Sequence, residues 1–188
     1  MQRYFSVLIV IVLTLILAAA AGASGNSSAK DTGFGYSMLR LFLQDEQYLT
    51  AIRRAKSVIN LDTTSDSVAD LVDEIADVSE SALAELDNYS DVPPAIRFVS
   101  LDKDSIAFSV FDDLRFSTGK TLLLDGEQFE KNILMSQIQV LPVIAQLAAE
   151  LADNETSSQR KLWLEQLNKK YSGLYRRASD SLHTRESE

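Results

Sequence analysis

The stretch AIRFVSLDKDSIAFSVFDDLRFSTGKTLLLDG, residues 95–126, decides the fold class of this chain. Ile106, Phe108 and Val110 recur at every second position, which is the spacing of side chains on one face of a strand. The polar residues 117–120 resemble a turn between two strands. These features together predict a small β-meander.

A helix over residues 102–116 is the alternative for the same stretch. Ile106, Val110 and Leu114 recur at four-residue spacing, which would place them on one face of a helix. The β-branched and aromatic residues and the break at Gly119 favour strands. We therefore expect a β-meander insertion and keep the helix as the second interpretation.

Two amphipathic helices are predicted before this stretch. Apolar residues recur at spacings of three and four over residues 36–60 and again over residues 67–88. Pro93 and Pro94 end the second helix, because proline cannot continue the helical hydrogen bonds. The two helices form the first predicted hairpin.

Two further helices are predicted after it. The third, over residues 126–153, has a wide apolar face and contains Pro142, where we expect a kink. The fourth, over residues 158–178, places Tyr171 on its core face. The polar residues 179–188 are predicted to be a disordered tail.

The four helices predict a mainly α fold. We expect a four-helix bundle of two helical hairpins over residues 36–178, with residues 95–126 as the insertion between the second and third helices. A bundle with one long connection has the connectivity of ferritin-like folds.

The N-terminal residues predict export. An apolar run over residues 7–21 follows the single charge of Arg3 and ends in small residues, which is the order of a signal peptide. We expect residues 1–23 to be removed by cleavage after Ala23, and the Gly/Ser-rich residues 24–35 to be a flexible tether. The alternative is an uncleaved membrane anchor at residues 7–23, whose length is close to the minimum for a span.

The amino-acid composition limits the kinds of partner and metal site that the chain can have. The chain has 18 Lys and Arg against 27 Asp and Glu. Removal of Arg3 leaves 17 against 27, a formal charge of −10 (17 − 27), so a nucleic-acid partner is not expected. The chain has no cysteine, which excludes disulfides and thiolate metal sites. A cysteine-free exported chain favours a bacterial periplasm.

The chain resembles an exported ferritin-like family of unknown function that is often found in bacterial periplasms. The resemblance covers residues 36–60, 83–86 and, above all, 126–178. In the last range these residues fall where such proteins place similar ones: Phe129, Glu130, Gln137, Ile138, Asp153 and Asn154. The family often has a histidine near the middle of the third helix, whereas this chain reads Val140-Leu141-Pro142 there. The resemblance implies a helical bundle outside the cytoplasm but no role for that histidine.

The sequence does not favour a metal or catalytic site. A ferritin-like metal site needs carboxylates on the inner faces of the helices and a histidine on two of them. The one histidine, His183, lies in the predicted tail. Asp45 falls on the apolar stripe of the first helix and is the candidate metal ligand, although a partly exposed carboxylate paired with an arginine is the expected outcome. We expect no cofactor, and without cysteine nucleophilic catalysis lacks its usual residues.

Charge is segregated between the second and fourth helices. Residues 62–91 hold ten acidic and no basic residues, whereas residues 159–185 hold seven basic and two acidic ones. We expect the two helices to pack beside each other or to recruit a partner, although two simply solvated faces are the alternative. The candidate interaction residues are Lys169, Lys170, Arg176, Arg177, Asp73 and Asp77.

These features favour an exported, non-catalytic interaction or envelope-associated protein. The expected partner is an unidentified protein or an envelope component, and a membrane is contacted only through an uncleaved N-terminal segment. The alternatives are a degenerate ferritin-like metal or redox protein and a periplasmic domain that binds a small ligand.

Overall fold

The structure, a computed structural model, describes residues 28–52, 65–100, 109, 112–113, 116–120, 122 and 128–186. Its long helices are α1 (Ser28–Gln47), α2 (Asp66–Asp91), α3 (Phe129–Asn154) and α4 (Ser158–Glu186). After a turn at Tyr48, residues 49–52 are helical again. The described part of the chain is mainly helical and contains no strand. The predicted signal peptide, residues 1–23, lies outside it.

The β-meander prediction was wrong for the described part of residues 95–126. Residues 95–100 have no regular secondary structure, and residues 109, 112–113, 116–120 and 122 are helical. The predicted turn at 117–120 therefore lies in a helix. Gly119 does not have the positive φ that tight hairpin turns need, so nothing in its backbone ends a helix. The helical alternative matches these positions better than the strand prediction.

Each long helix packs against two others. Helix α1 packs against α2 and α3, and α4 packs against α3 and α2. Helices α1 and α2 are antiparallel, because Arg40 pairs with Asp87 at 2.8 Å, whereas Thr50 lies near Asp73. Helices α3 and α4 are antiparallel because only residues 155–157 separate them. Apolar side chains from all four helices form one core.

The core depends most on large side chains that are fully removed from water. Burial of one Leu, Ile or Phe contributes about 1.5–3 kcal/mol relative to exposure. The largest such residues are Tyr171, Phe129, Leu39, Leu43, Leu71, Ile75, Leu86, Ile133, Leu134, Leu141 and Ile144. Each of the four helices supplies at least one of them.

Two predicted boundaries were wrong because apolar contacts extend the helices. Helix α1 begins at Ser28, so residues 28–35 of the predicted tether are helical. Gly33 and Gly35 lie in this extension and allow close packing against the backbone of Arg97 and the side chain of Leu151. Helix α4 continues through the predicted tail to Glu186, and Leu182 is only 7% exposed.

The N-terminus of α2 is held by a carboxylate from α3. The backbone N–H of Ser65 donates to Glu130 at 3.2 Å, and the Ser65 hydroxyl donates to the same carboxylate at 2.6 Å. A negative charge is favourable there because the helix dipole is positive at its N-terminus. This contact fixes the start of α2 against the start of α3.

Helix α3 is the most apolar of the long helices. Among the described helices, only α3 is long and apolar enough to cross a membrane by length and composition. A core helix passes the same test, so the finding is weak evidence for a span. Pro142 lies inside α3 as predicted.

Candidate functional site

Three basic side chains of α4 face outward. Lys169, Lys170 and Arg176 are exposed, and none of them forms an ion pair with a described residue. We call these three residues the basic stripe. Arg176 donates to the Ser172 carbonyl within its own helix, so its charge remains at the surface. Leu162, on the same helix, is 56% exposed.

Gly173 lies within the basic stripe, between Lys169 and Arg176. No described atom lies within 4 Å of the position that a Cβ would occupy there. Glycine inside a helix costs about 1 kcal/mol relative to alanine. Nothing inside the described structure compensates for that cost.

Arg177 is not part of the basic stripe, because it contacts helix α2. Its guanidinium forms an ion pair with Glu74 of α2, and both side chains are about half exposed, at 49% and 48%. The prediction that α2 and α4 lie side by side is therefore confirmed. An exposed pair of this kind contributes at most about 1 kcal/mol.

The two candidate acidic residues of α2 differ in exposure, because Asp73 is half-buried and Asp77 is exposed. Asp73 lies towards α1, where the Thr50 hydroxyl donates to it at 3.4 Å.

A polar layer crosses the apolar core. Glu46 of α1, Ser79 of α2, Gln137 of α3 and Tyr171 of α4 are all buried, and we call these four residues the polar layer. The hydroxyls of Ser79 and Tyr171 are 2.6 Å apart. Glu46 Oε2 and Gln137 Oε1 are buried and have no hydrogen-bond partner.

Glu46, and not its neighbour Asp45, is buried in the core. Asp45 is half-buried, as expected for a partly exposed carboxylate, whereas Glu46 is 5% exposed. Burial raises the pKa of Glu46 to about 8, the charge of Asp45 adds to the rise, and hydrogen bonding with Gln137 partly offsets it. Glu46 is therefore mostly protonated at neutral pH.

A second buried polar cluster closes one end of the helices. Arg160 donates to Glu155 through Nε and Nη2, each at 2.9 Å, and to the Pro94 carbonyl. The Tyr36 hydroxyl also donates to Glu155. Burial alone would raise the pKa of Glu155, but hydrogen bonds from Arg160, the Ser157 backbone and Tyr36 lower it to about 2. The cluster joins α1, α4 and the segments that follow α2 and α3.

The described residues include no group of three or more His, Cys, Asp or Glu side chains that could hold a metal ion. His183 lies on the last turns of α4, exposed, with Nδ1 2.8 Å from the Ser179 carbonyl oxygen. Asp45, the candidate metal ligand, lies on a different helix, α1.

Sequence reasoning missed the polar layer and the end cluster. A signal was present for two members of the layer. Ser79 and Gln137 each follow a core isoleucine, Ile75 and Ile133, by four residues, so both occupy positions on an apolar stripe. Polar residues on a core stripe indicate a buried polar contact. No such signal marked Arg160.

Comparison of the chain with protein-family models, with curated proteins and with solved structures finds no match.

Proposed function

We propose that this chain is an exported, non-catalytic interaction protein that binds an acidic protein partner through the basic stripe of α4. The apolar segment at residues 7–23 supports export, most simply to a bacterial periplasm. The observation that carries the binding proposal is that Lys169, Lys170 and Arg176 project outward while Arg177 pairs within the molecule. Within α4, Arg160 and Arg177 form ion pairs inside the molecule, whereas the three cations of the basic stripe form none with a described residue.

Gly173 supports the same surface. Its open position has no packing role among the described residues and costs helix stability. A glycine at such a point lets a partner's backbone or side chain approach the helix closely. The stripe therefore combines three cations with a local gap, and exposed Leu162 adds an apolar contact on the same helix.

The positive charges of the basic stripe are expected to contribute more to selectivity among partners than to binding affinity. Complementary charges at the edge of an interface mainly accelerate association and exclude wrong partners. The neighbouring α2 is strongly acidic, with Asp70, Glu74, Asp77 and Glu80 exposed. A flat anionic membrane would meet that repulsion, whereas a narrow acidic segment can lie along α4 alone. An acidic protein segment is therefore favoured over anionic lipid headgroups.

The helix contacts support a four-helix bundle with ferritin-like connectivity as the framework for this surface. Helices α2 and α3, which the longest connection joins, each pack chiefly against α1 and α4. Contacts across α2 and α4 are antiparallel, because Ser79 meets Tyr171 and Glu74 meets Arg177. This order is expected when one long connection links diagonal helices. A ferritin-like metal function has less support, because the polar layer brings one carboxylate to the middle of the core.

Site-specific crosslinking tests the proposal. A photo-reactive amino acid at Gln166, which is exposed between Leu162 and the basic stripe, should give a discrete protein adduct in the native host. The same probe at exposed Ala84 of α2 should not give that adduct. The combined variant K169E/K170E/R176E should abolish the adduct without changing the melting temperature by more than a few degrees, because exposed charges contribute about 0.2–1 kcal/mol each.

Two results would contradict the proposal. One is an adduct at Gln166 that survives charge reversal. The other is the absence of any protein adduct together with flotation of the chain on vesicles of phosphatidylglycerol, which would assign the basic stripe to lipid. Vesicles of phosphatidylcholine are the neutral control.

A further inference from the structure

Arg176 folds back along α4 towards Gly173. Its Nε donates to the carbonyl oxygen of Ser172, one turn earlier, at 3.3 Å. The guanidinium therefore lies beside Gly173, where no described atom is within 4 Å of the Cβ position. Arg176 forms no ion pair with a described residue. Its two Nη groups can donate parallel hydrogen bonds to a carboxylate that another molecule brings.

The surface around Gly173 has the form of a hole that an opposing helix can fill. Where two helices pack, a side chain of one enters the space between four residues of the other, at positions i, i+3, i+4 and i+7. One such set on α4 surrounds the open position at Gly173, and we call it the Gly173 hole. It consists of Lys169, Ser172, Gly173 and Arg176. Its middle residues are small and its outer residues are cations, so it suits an acidic side chain.

The outer face of α4 continues beyond the hole in both directions. Residues at alternating spacings of three and four are exposed or half-exposed over residues 159–180, a length of about 32 Å at 1.5 Å per residue. These residues are Gln159, Leu162, Gln166, Lys169, Gly173, Arg176 and Asp180. Positions with this spacing are the ones that contact a second helix lying along the first.

A helix fits this face better than an extended segment does. The backbone groups in the middle of α4 are bonded within the helix, so they cannot pair with an extended chain. An extended segment would turn unpaired N–H and C=O groups towards α4, which is unfavourable for each group that loses water. A partner helix satisfies its own backbone and presents only side chains. Strand addition needs a sheet edge, and the described part of the chain contains no strand.

We propose that the partner segment is an acidic amphipathic α-helix that lies along α4 and places one carboxylate in the Gly173 hole. This inference rests on the proposed function, because it names the form of the acidic partner that the basic stripe binds. An apolar residue of the partner helix packs against Leu162, which is 56% exposed. Leu162 and Gly173 are 11 residues apart (173 − 162), or about three turns, so the partner's apolar residue and its carboxylate have about the same separation.

Crosslink mapping along α4 tests the form of the partner. A photo-reactive amino acid is placed in turn at Gln159, Gln166 and Asp180 of the full chain in the native host, and mass spectrometry of each adduct locates the partner residue that reacted. The outer two probes are 21 residues apart (180 − 159). A helical partner should show a separation of about 21 residues between its reacted positions, because both helices rise 1.5 Å per residue. An extended partner rises about 3.3 Å per residue and should show about 10.

Matched variants test the Gly173 hole. Arg176→Gln should lower the adduct yield at Gln166 about tenfold, because hydrogen bonds to a charged group are among the stronger polar contacts. Lys161→Gln removes a half-exposed cation of α4 outside the hole and should leave the yield unchanged. Both variants should melt within a few degrees of the unmodified chain.

The outcomes separate this inference from the proposed function. Reacted partner residues only about 10 apart, or an adduct yield that Arg176→Gln does not change, would overturn the helical partner and leave the rest of the basic stripe as the binding surface. The absence of a protein adduct at all three positions would overturn the proposed function, and this inference with it.

Discussion

Gly33 of α1 packs against the segment 95–100. A Cβ at this position would be 2.6 Å from the carbonyl oxygen of Arg97 and 3.0 Å from Val99 Cγ2. The nearer atom belongs to the backbone and cannot swing aside. The Ser37 hydroxyl, which donates to the Val99 carbonyl at 2.8 Å and accepts from the Val99 N–H at 2.9 Å, fixes this segment against α1.

Gly33→Ala is therefore expected to destabilise the protein by about 1–3 kcal/mol, because overpacking must displace backbone. Gly119→Ala is the matched control. No described atom lies near its Cβ position and its helix would gain from alanine, so this variant should raise stability by about 0.5–1 kcal/mol. Urea unfolding of the two variants checks both signs. Equal effects would mean that segment 95–100 is not packed against Gly33.

Glu46 makes stability depend on pH. Its pKa is about 8 in the folded protein against 4.5 as the ordinary value, so between these values the folded state binds more protons than the unfolded state. Stability should fall as pH rises through this window and level off above it, by a few kcal/mol in total. Glu46→Gln should remove the fall and stabilise the protein most above about pH 8. Chemical denaturation at a series of pH values across the window measures this change in stability. Identical pH profiles for variant and unmodified chain would contradict the burial of a protonated Glu46.

At the scale of elements, the acidic α2 and the mainly basic α4 are joined by one described ion pair, between Glu74 and Arg177. Glu74→Lys and Arg177→Glu should each lower stability slightly at low salt, and the double exchange should restore it. The coupling should be under about 1 kcal/mol, since both side chains are half exposed, and should shrink as salt shortens the Debye length from about 10 Å at 0.1 M. A double-mutant cycle at two salt concentrations provides the measurement. Zero coupling at low salt would show that apolar packing alone joins the helices.

The helices themselves could be predicted because their apolar residues repeat every three or four positions. That periodicity located α2, α3 and most of α4 to within a few residues. The ends of the helices were harder to predict. The sequence indicated that Gly33 and Gly35 belong to a flexible tether, yet their lack of a side chain is what lets α1 pack closely there.

The candidate site was predictable only where it depends on charge. The basic residues of α4 stand out in the sequence, but which of them pairs within the molecule depends on how α4 packs against α2, where Arg177 forms an ion pair with Glu74. The polar layer consists of four buried polar residues from four helices. Their burial is set by packing between distant segments of the chain, which no local pattern reports. The strand prediction failed because alternation over a few residues is also compatible with a helix.

At the scale of the whole molecule, the proposed export would determine which partners the basic stripe can meet. Intact-mass measurement of the chain from its native host should give a species that begins after Ala23, because the small residues there suit a signal peptidase. A dominant species that retains Met1 would instead place the helices beside a membrane, at the end of an anchor.

The central claim is that the outer face of α4 binds a partner, and Gly173 tests it most directly. Leucine is nearly as good a helix former as alanine, so Gly173→Leu should raise the stability of the free protein by about 0.5–1 kcal/mol. The same side chain fills the gap in the basic stripe. We predict that this variant melts at a higher temperature yet loses most of the crosslinked adduct formed at Gln166, whereas Ala84→Leu on the exposed face of α2 keeps it. An adduct yield for Gly173→Leu equal to that of the unmodified chain would contradict the claim.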